Sequence, residues 1–159
     1  VGAALRRRGD VEVLVVDVDG EASEAVRQLG HLDVDAVEVP ARNLAGAVAA
    51  SDLVLLDVLA LGPDRLLAPS GSMAAASVAG RLDVPVWATA GVGRLLPGSM
   101  FDALERRWTE AADPLEALEE VVPTPVIDKI ACAGGVLEVG AALRHTDCPV
   151  APELFRLAG

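Results

Sequence analysis

The sequence is poor in aromatic residues and in lysine. Tyrosine is absent, only two tryptophans and two phenylalanines occur, and Lys129 is the single lysine. The thirteen basic residues are spread along the chain, whereas a nucleic-acid-binding surface needs concentrated positive charge. We therefore expect no nucleic-acid partner.

Cysteine and histidine are scarce. Cys132 and Cys148 are too few for a disulfide framework. His31 and His145 lack neighbouring cysteines or carboxylates at the spacing of metal ligands, so no metal and no other cofactor are expected. No apolar run approaches the ~18 residues of a membrane span, and no signal peptide is visible. These features predict a cytoplasmic protein with no membrane partner.

What the chain does contain is carboxylate and aliphatic side chains. It has 159 residues, of which 52% are hydrophobic, and its 24 acidic residues give a net charge of −11. This length predicts a single domain over residues 1–159. An acidic, lysine-poor surface is typical of halophilic proteins, which excess carboxylate keeps soluble. The alternative is an acidic protein of a mesophile with a GC-rich genome.

Short β-branched runs alternate with segments of helical spacing. Strands are predicted at residues 11–18, 35–39, 53–58, 84–88, 121–122 and 126–131. Helices are predicted at 21–29, 43–50 and 71–81, a turn-rich loop at 62–70, a helix or long excursion at 101–108, and a helix or strand at 136–143. The alternation predicts a doubly wound, Rossmann-like α/β domain, with a mostly parallel sheet and helices on both faces. Ligands of such sheets bind beyond the carboxyl ends of the strands.

Two aspartates follow the first predicted strand. Residues 17–20, Asp-Val-Asp-Gly, resemble the first motif of haloacid-dehalogenase-type phosphatases, in which one aspartate attacks phosphorus. Glu21 stands where that family favours threonine or valine, and the only lysine comes late, at Lys129. The preferred interpretation is a carboxylate pair, Asp17 and Asp19, stabilised by the dipole of the following helix.

Two later segments are candidates for anion binding. Ser70, Gly71 and Ser72 begin a helix of small residues, where backbone N–H groups can hold a phosphate. Either serine is equally an ordinary helix cap. Residues 91–94, Gly-Val-Gly-Arg, are too short and too late for a dinucleotide fingerprint, but Arg94 can contact an anion.

Several segments together carry a resemblance to a known family. They are residues 52–56 (DLVLL), 60–64 (ALGPD), 70–76 (SGSMAAA), 84–87 (VPVW), 121–128 (VVPTPVID) and 148–154 (CPVAPEL). This pattern resembles the C-terminal domain of the initiation factor 2B alpha/beta/delta family, which includes methylthioribose-1-phosphate isomerase and ribose-1,5-bisphosphate isomerase. The resemblance implies a Rossmann-like fold and association as a homodimer or with a related subunit. Because the resemblance covers that domain alone, we expect the family's N-terminal helical domain to be absent from this sequence.

The isomerases' functional residues are only partly present. Their proton-transferring aspartate falls at Leu59, although a shifted alignment offers Asp57. Their Asn-Lys pair falls at Ala68-Pro69, and their catalytic cysteine would lie upstream of this sequence. The resemblance thus implies a noncatalytic relative that binds a sugar phosphate, a nucleotide or a sister subunit. The alternative is a phosphosugar isomerase with a displaced catalytic set.

The predicted site lies at the strand ends. Asp57 is the candidate for proton transfer, Asp17 or Asp57 would bind sugar hydroxyls, and Arg94 would supply a counter-charge. The start of the helix would hold the phosphate through Ser70, Gly71 and Ser72. Self-association is expected through residues 92–101 and the region of Trp108, where apolar side chains follow a loop.

Overall fold

Strands and helices alternate through residues 2–113 and 115–145, which the computed structural model describes. The strands are β1 (Glu12–Asp17), β2 (Asp35–Pro40), β3 (Val54–Asp57), β4 (Ala60–Leu61), β5 (Arg65–Pro69), β6 (Val86–Thr89), β7 (Glu119–Pro123), β8 (Lys129–Cys132) and β9 (Gly135–Glu138). The helices are α1 (Gly2–Arg8), α2 (Ala22–Gly30), α3 (Leu44–Ala49), α4 (Ser72–Arg81), α5 (Gly98–Ala111) and α6 (Val139–Ala142).

The strands form three sheets, and the helices connect the parallel strands. Strands β1 and β2 pair in parallel, and β3, β6 and β8 form a parallel sheet with β9 antiparallel at its edge. Strands β4, β5 and β7 form a separate antiparallel sheet. The α/β class predicted from the alternating pattern is confirmed. The antiparallel sheet is an addition that the pattern did not predict.

The larger core lies on one face of the four-stranded sheet. Leu56, Ala88 and Ile130 are in register on β3, β6 and β8, and all three are buried. Helix α4 packs against β3 and β6 with small residues such as Ala76 and Ala79, which are also buried. Because these side chains end at Cβ, the helix backbone can lie close to the sheet, as close packing of the interior requires.

The opposite face of this sheet is half-exposed. Leu55, Trp87, Lys129 and Glu138 form one row across the four strands, and Val136 lies one row away on the same face. Leu55 is 37% exposed and Val136 is 49% exposed. Among the described residues, the half-buried Trp87 is not one of the side chains that pack against either hydrophobic core cluster. We call these five residues the open face.

The loop predicted at residues 62–70 is wrong, because this segment forms strand β5 of a hairpin. Its turn is closed by the N–H of Gly62, which donates to the carbonyl of Arg65 at 2.9 Å. The apolar residues Leu66, Leu67 and Ala68 are all buried, so the segment gains more from pairing with β4 and β7 than from solvation as a loop.

A smaller core joins this hairpin to helix α5. Phe101 is 1% exposed and packs with Ala60 and Leu67, and Trp108 packs against the same cluster. Within the segment 92–101 predicted for self-association, the Phe101 ring is buried in its own chain, and self-association through the rest of the segment stays a prediction. The Arg65 guanidinium lies 5.5 Å from the centre of the Phe101 ring. The Nε group of Arg65 donates a hydrogen bond to Glu105, which raises the pKa of Arg65.

Other segments extend or divide the predicted elements. Helix α1 was not predicted, the segment at 101–108 lies within the longer α5, and 136–143 contains both a strand and a helix.

In the described part of the chain no helix has the length and apolarity to cross a lipid bilayer. Cys148 and the segment at 148–154, on which part of the family resemblance rests, lie outside the described residues.

Candidate functional site

Asp57 and Arg94 meet at the carboxyl ends of β3 and β6. The Nη1 group of Arg94 lies 3.0 Å from Oδ1 and 3.1 Å from Oδ2 of Asp57. Thr89, paired with Asp57 in the sheet register, donates its hydroxyl to Oδ1 of Asp57 and to the carbonyl of Leu56, each at 3.2 Å. The structure thus brings together two of the predicted site residues, but as partners of each other.

The backbone on both sides of this pair also fixes Arg94. Its Nη1 donates to the carbonyl of Val58 at 2.5 Å, and its own carbonyl accepts the N–H of Leu61 at 2.7 Å. Leu59 lies between Val58 and Leu61 in the chain and is 41% exposed. The exposed edge therefore carries an arginine already neutralised by Asp57, next to an alkyl side chain.

Asp17 lies apart from this pair, at the entry to helix α2. Its Oδ1 accepts the backbone N–H of Gly20 at 2.8 Å and of Ala22 at 3.3 Å, while Asp19 accepts the N–H of Glu21 at 3.1 Å. These contacts stabilise the turn and the first helical residues, as carboxylates near a helix N-terminus do.

The carboxylate of Glu120 lies at the start of α4. The N–H of Met73, in the first turn of the helix, donates to Oε1 of Glu120 on β7 at 2.8 Å. The hydroxyl of Ser72, a buried side chain, donates to the carbonyl of Pro69 at 2.6 Å. Gly71 precedes the helix with a φ of +88°, a conformation that favours glycine. The phosphate predicted here would meet the Glu120 carboxylate, and its binding stays a prediction.

A cleft of about 560 Å³ lies beside the start of α4. It is lined by Val18 after β1, by Arg42 and Leu44 after β2, and by Ser70 and Gly71 before α4. The cleft is open to solvent, whereas small-molecule sites usually enclose most of their ligand, and its lining is mostly apolar. Within residues 2–113 and 115–145, no hydrogen bond or ion pair engages the exposed Arg42 side chain.

The predicted site residues therefore fall in three places. Ser70 and Gly71 line the cleft, with the buried Ser72 next in the chain, Asp57 pairs with Arg94, and Asp17 stabilises the start of α2. Sequence reasoning missed Arg42 and Glu120. The signal for Arg42 was available, because it follows the carboxyl end of β2, where a ligand-binding residue is expected.

Comparison with known proteins confirms the expected fold. No protein-family model and no curated protein matches the sequence. Solved structures do match. The translation initiation factor eIF-2B of Pyrococcus horikoshii OT3 is 11% identical, with a TM-score of 0.69, and the match covers 89% of this chain and 54% of that chain.

Two further structures of this kind match over similar lengths. The delta subunit of eIF-2B from A. fulgidus is 12% identical with a TM-score of 0.68, covering 86% of this chain and 46% of that chain. The tetrameric eIF2B-beta2-delta2 complex from C. thermophilum matches at 18% identity and a TM-score of 0.63, covering 84% of this chain and 44% of that chain. The chain thus spans about half the length of these structures and shares their fold.

Proposed function

We propose that this chain, which has the fold of initiation factor 2B subunits, is a noncatalytic domain that assembles with a second copy of itself through the open face. The observation that carries the proposal is the half-exposed open face of the four-stranded sheet, where Leu55, Trp87 and Val136 supply apolar surface beside the Lys129–Glu138 pair. Parallel sheets are normally covered on both faces, so a face left uncovered in the described residues is a natural interface.

The composition of the open face supports an interface with another protein. Leu55 and Val136 supply aliphatic surface, and Trp87 supplies a large ring of the kind enriched among residues that dominate binding energy. The ammonium of Lys129 lies 5.9 Å from the centre of the Trp87 ring and 3.8 Å from Oε1 of Glu138. The complex from C. thermophilum contains two kinds of eIF2B subunit, which supports subunit assembly as a use of this fold.

The contacts at the strand ends support the noncatalytic assignment. Leu59 has no group that exchanges a proton, and the Asp57 carboxylate is paired with the Arg94 guanidinium at 3.0 Å. The alternative is an aldose–ketose isomerase, tested by offering ribose-1,5-bisphosphate and methylthioribose-1-phosphate. Turnover that is abolished by Asp57→Asn would support the isomerase and contradict the noncatalytic assignment.

Sedimentation equilibrium tests the proposed interface. We expect the chain to form a dimer, and Val136→Glu to dissociate it because a carboxylate would be buried in the contact. Leu115→Glu is the matched control, since Leu115 is 95% exposed and lies in the connection between α5 and β7. A dimer that survives Val136→Glu but dissociates with Val92→Glu would move the interface to the turn at 91–93. A monomer at all concentrations would refute self-assembly.

The cleft supports a second candidate function, the binding of a small phosphorylated ligand. The specific observation is the unpaired Arg42 guanidinium beside Ser70 and Gly71, because arginine is well suited to bind phosphate oxygens. Calorimetric titration with sugar phosphates and nucleotides tests this function. Saturable binding that weakens in Arg42→Ala is the expected result, and no heat from any of these ligands would refute it.

A further inference from the structure

We infer that Lys129 is a modification site, at which transfer of an acyl group to the side-chain amine breaks the assembly formed through the open face. The inference rests on the proposed self-assembly and names a regulation of that same surface. It is carried by two independent observations. Lys129 is the only lysine of the chain, and the structure places it within the open face, between Trp87 and Glu138.

The composition restricts acylation to one side chain. Every other of the thirteen basic residues is an arginine, whose guanidinium stays protonated in proteins and does not act as a nucleophile. A lysine amine can lose its proton, and acylation then removes its positive charge. Apart from the terminal amine, a single position therefore takes the acyl group, and the effect falls on the open face.

The amine of Lys129 is both accessible and held in place. Its side chain is 43% exposed, and its Nζ atom lies 3.8 Å from Oε1 of Glu138 and 5.9 Å from the centre of the Trp87 ring. These neighbours on β9 and β6 keep the amine over the open face, where a small donor reaches it in the unassembled chain. Assembly covers the same surface, so assembly and acylation exclude each other.

The donor that fits this amine is an acyl phosphate, which is small and already activated. The unprotonated amine of Lys129 attacks the carbonyl carbon, the bond from this carbon to the phosphate oxygen breaks, and an amide forms. Inorganic phosphate leaves with the bonding electron pair, and the proton of the amine passes to solvent. Nothing is oxidised or reduced, so the transfer needs no further reactant.

Acylation changes the charge of the open face. The Lys129–Glu138 pair is neutral as a whole, whereas acylation leaves the Glu138 carboxylate without its cation and takes the cation from beside the Trp87 ring. Burying one charge of a broken pair in an interface is strongly unfavourable, because its lost hydration is not compensated. We expect the Kd of the dimer to rise at least about 10-fold.

Intact-mass measurement and sedimentation equilibrium of the full chain, before and after treatment with acetyl phosphate, test the inference. We expect an acetyl group at Lys129, distinguished from the terminal amine by peptide mapping, together with the rise in Kd. Modification should also slow as the chain concentration rises and the dimer forms. A dimer that persists with Lys129 fully acetylated would overturn the inference and leave self-assembly intact. A monomer before treatment would refute self-assembly itself.

Three variants separate the loss of this charge from acylation elsewhere. Lys129→Gln imitates the neutral amide and should dissociate the dimer without any donor. Lys129→Arg keeps the charge, should weaken the dimer less than Lys129→Gln, and should not respond to acetyl phosphate.

The third variant is the matched control, in which Lys129→Arg is combined with Arg81→Lys. It moves the only lysine to an exposed position at the end of α4, the helix that packs against the opposite face of the sheet. Its acetylation should leave its Kd as it was before treatment. Dissociation of this acetylated control would indicate a general charge effect and contradict the assignment of Lys129.

Discussion

Replacing Gly62 with alanine tests how the β4–β5 hairpin fits against helix α5. A Cβ atom at position 62 would lie 2.6 Å from Cγ of Phe101 and 3.0 Å from its Cβ and Cδ1. Phe101 is 1% exposed and enclosed by its own cluster, so its ring has little room to move. Forcing an extra carbon into a packed contact costs about 1–3 kcal/mol, so Gly62→Ala should lower the free energy of unfolding by this amount.

Urea denaturation measures this effect, with Gly46→Ala as the matched control. Gly46 lies at an exposed position within α3, and a Cβ there would meet nothing within 4 Å. The same substitution should therefore stabilise the chain by about 0.5–1 kcal/mol, because alanine favours the helix. In a Phe101→Ala background the cost of Gly62→Ala should shrink. A neutral or stabilising Gly62→Ala would refute the contact, as would full additivity with Phe101→Ala.

Three further substitutions test local contacts. Glu120→Ala removes the carboxylate at the start of α4 and should lower the free energy of unfolding by about 1 kcal/mol, measured in urea; an unchanged value would contradict its capping role. Asp57→Asn breaks an exposed pair with Arg94, so it should change that free energy by less than about 1 kcal/mol, and a larger loss would show a structural role. The hydrogen bond from Gln28 lowers the pKa of Glu24 in the folded chain. The ionised Glu24 therefore stabilises the fold at pH values above the ordinary carboxyl pKa, and this stabilisation is lost as the pH falls through the lowered pKa. Thermal melts of Glu24→Gln and wild type should therefore differ at neutral pH and converge in acid, and a difference that persists would contradict this.

The parallel strands were predictable because their signal is local. Residues 11–18 and 53–58 are β-branched or leucine-rich runs, so the signal for each strand lies within the run itself. Strand β5 was not predictable in this way. Its apolar core is only Leu66 to Ala68 beside a proline, and its partner β7 lies some fifty residues further along the chain. The hairpin becomes favourable only when that distant strand pairs with it.

Some residues of the candidate site could also be predicted from local sequence, and others could not. Ser70 and Gly71 were predicted from the start of a helix of small residues, and they line the cleft, although their binding of a ligand stays a prediction. Glu120 was missed because it reaches the start of α4 only through the register that sets Ala68 opposite Glu120 in the antiparallel sheet. Sequence spacing carries no information about that register. The contact of the Glu120 carboxylate with the start of α4 could therefore be identified only from the structure.

The pairing of β1 with β2 alone has a consequence for motion. None of the residues of β1 is fully buried, and a two-stranded sheet is marginally stable by itself. Amide protons of β1 and β2 should therefore exchange with solvent sooner than those of β6, which has hydrogen-bonded neighbours on both sides. Val18, which directly follows β1, and Val78 on α4 line the same cleft, so an occupied cleft should slow exchange in the first fifty residues.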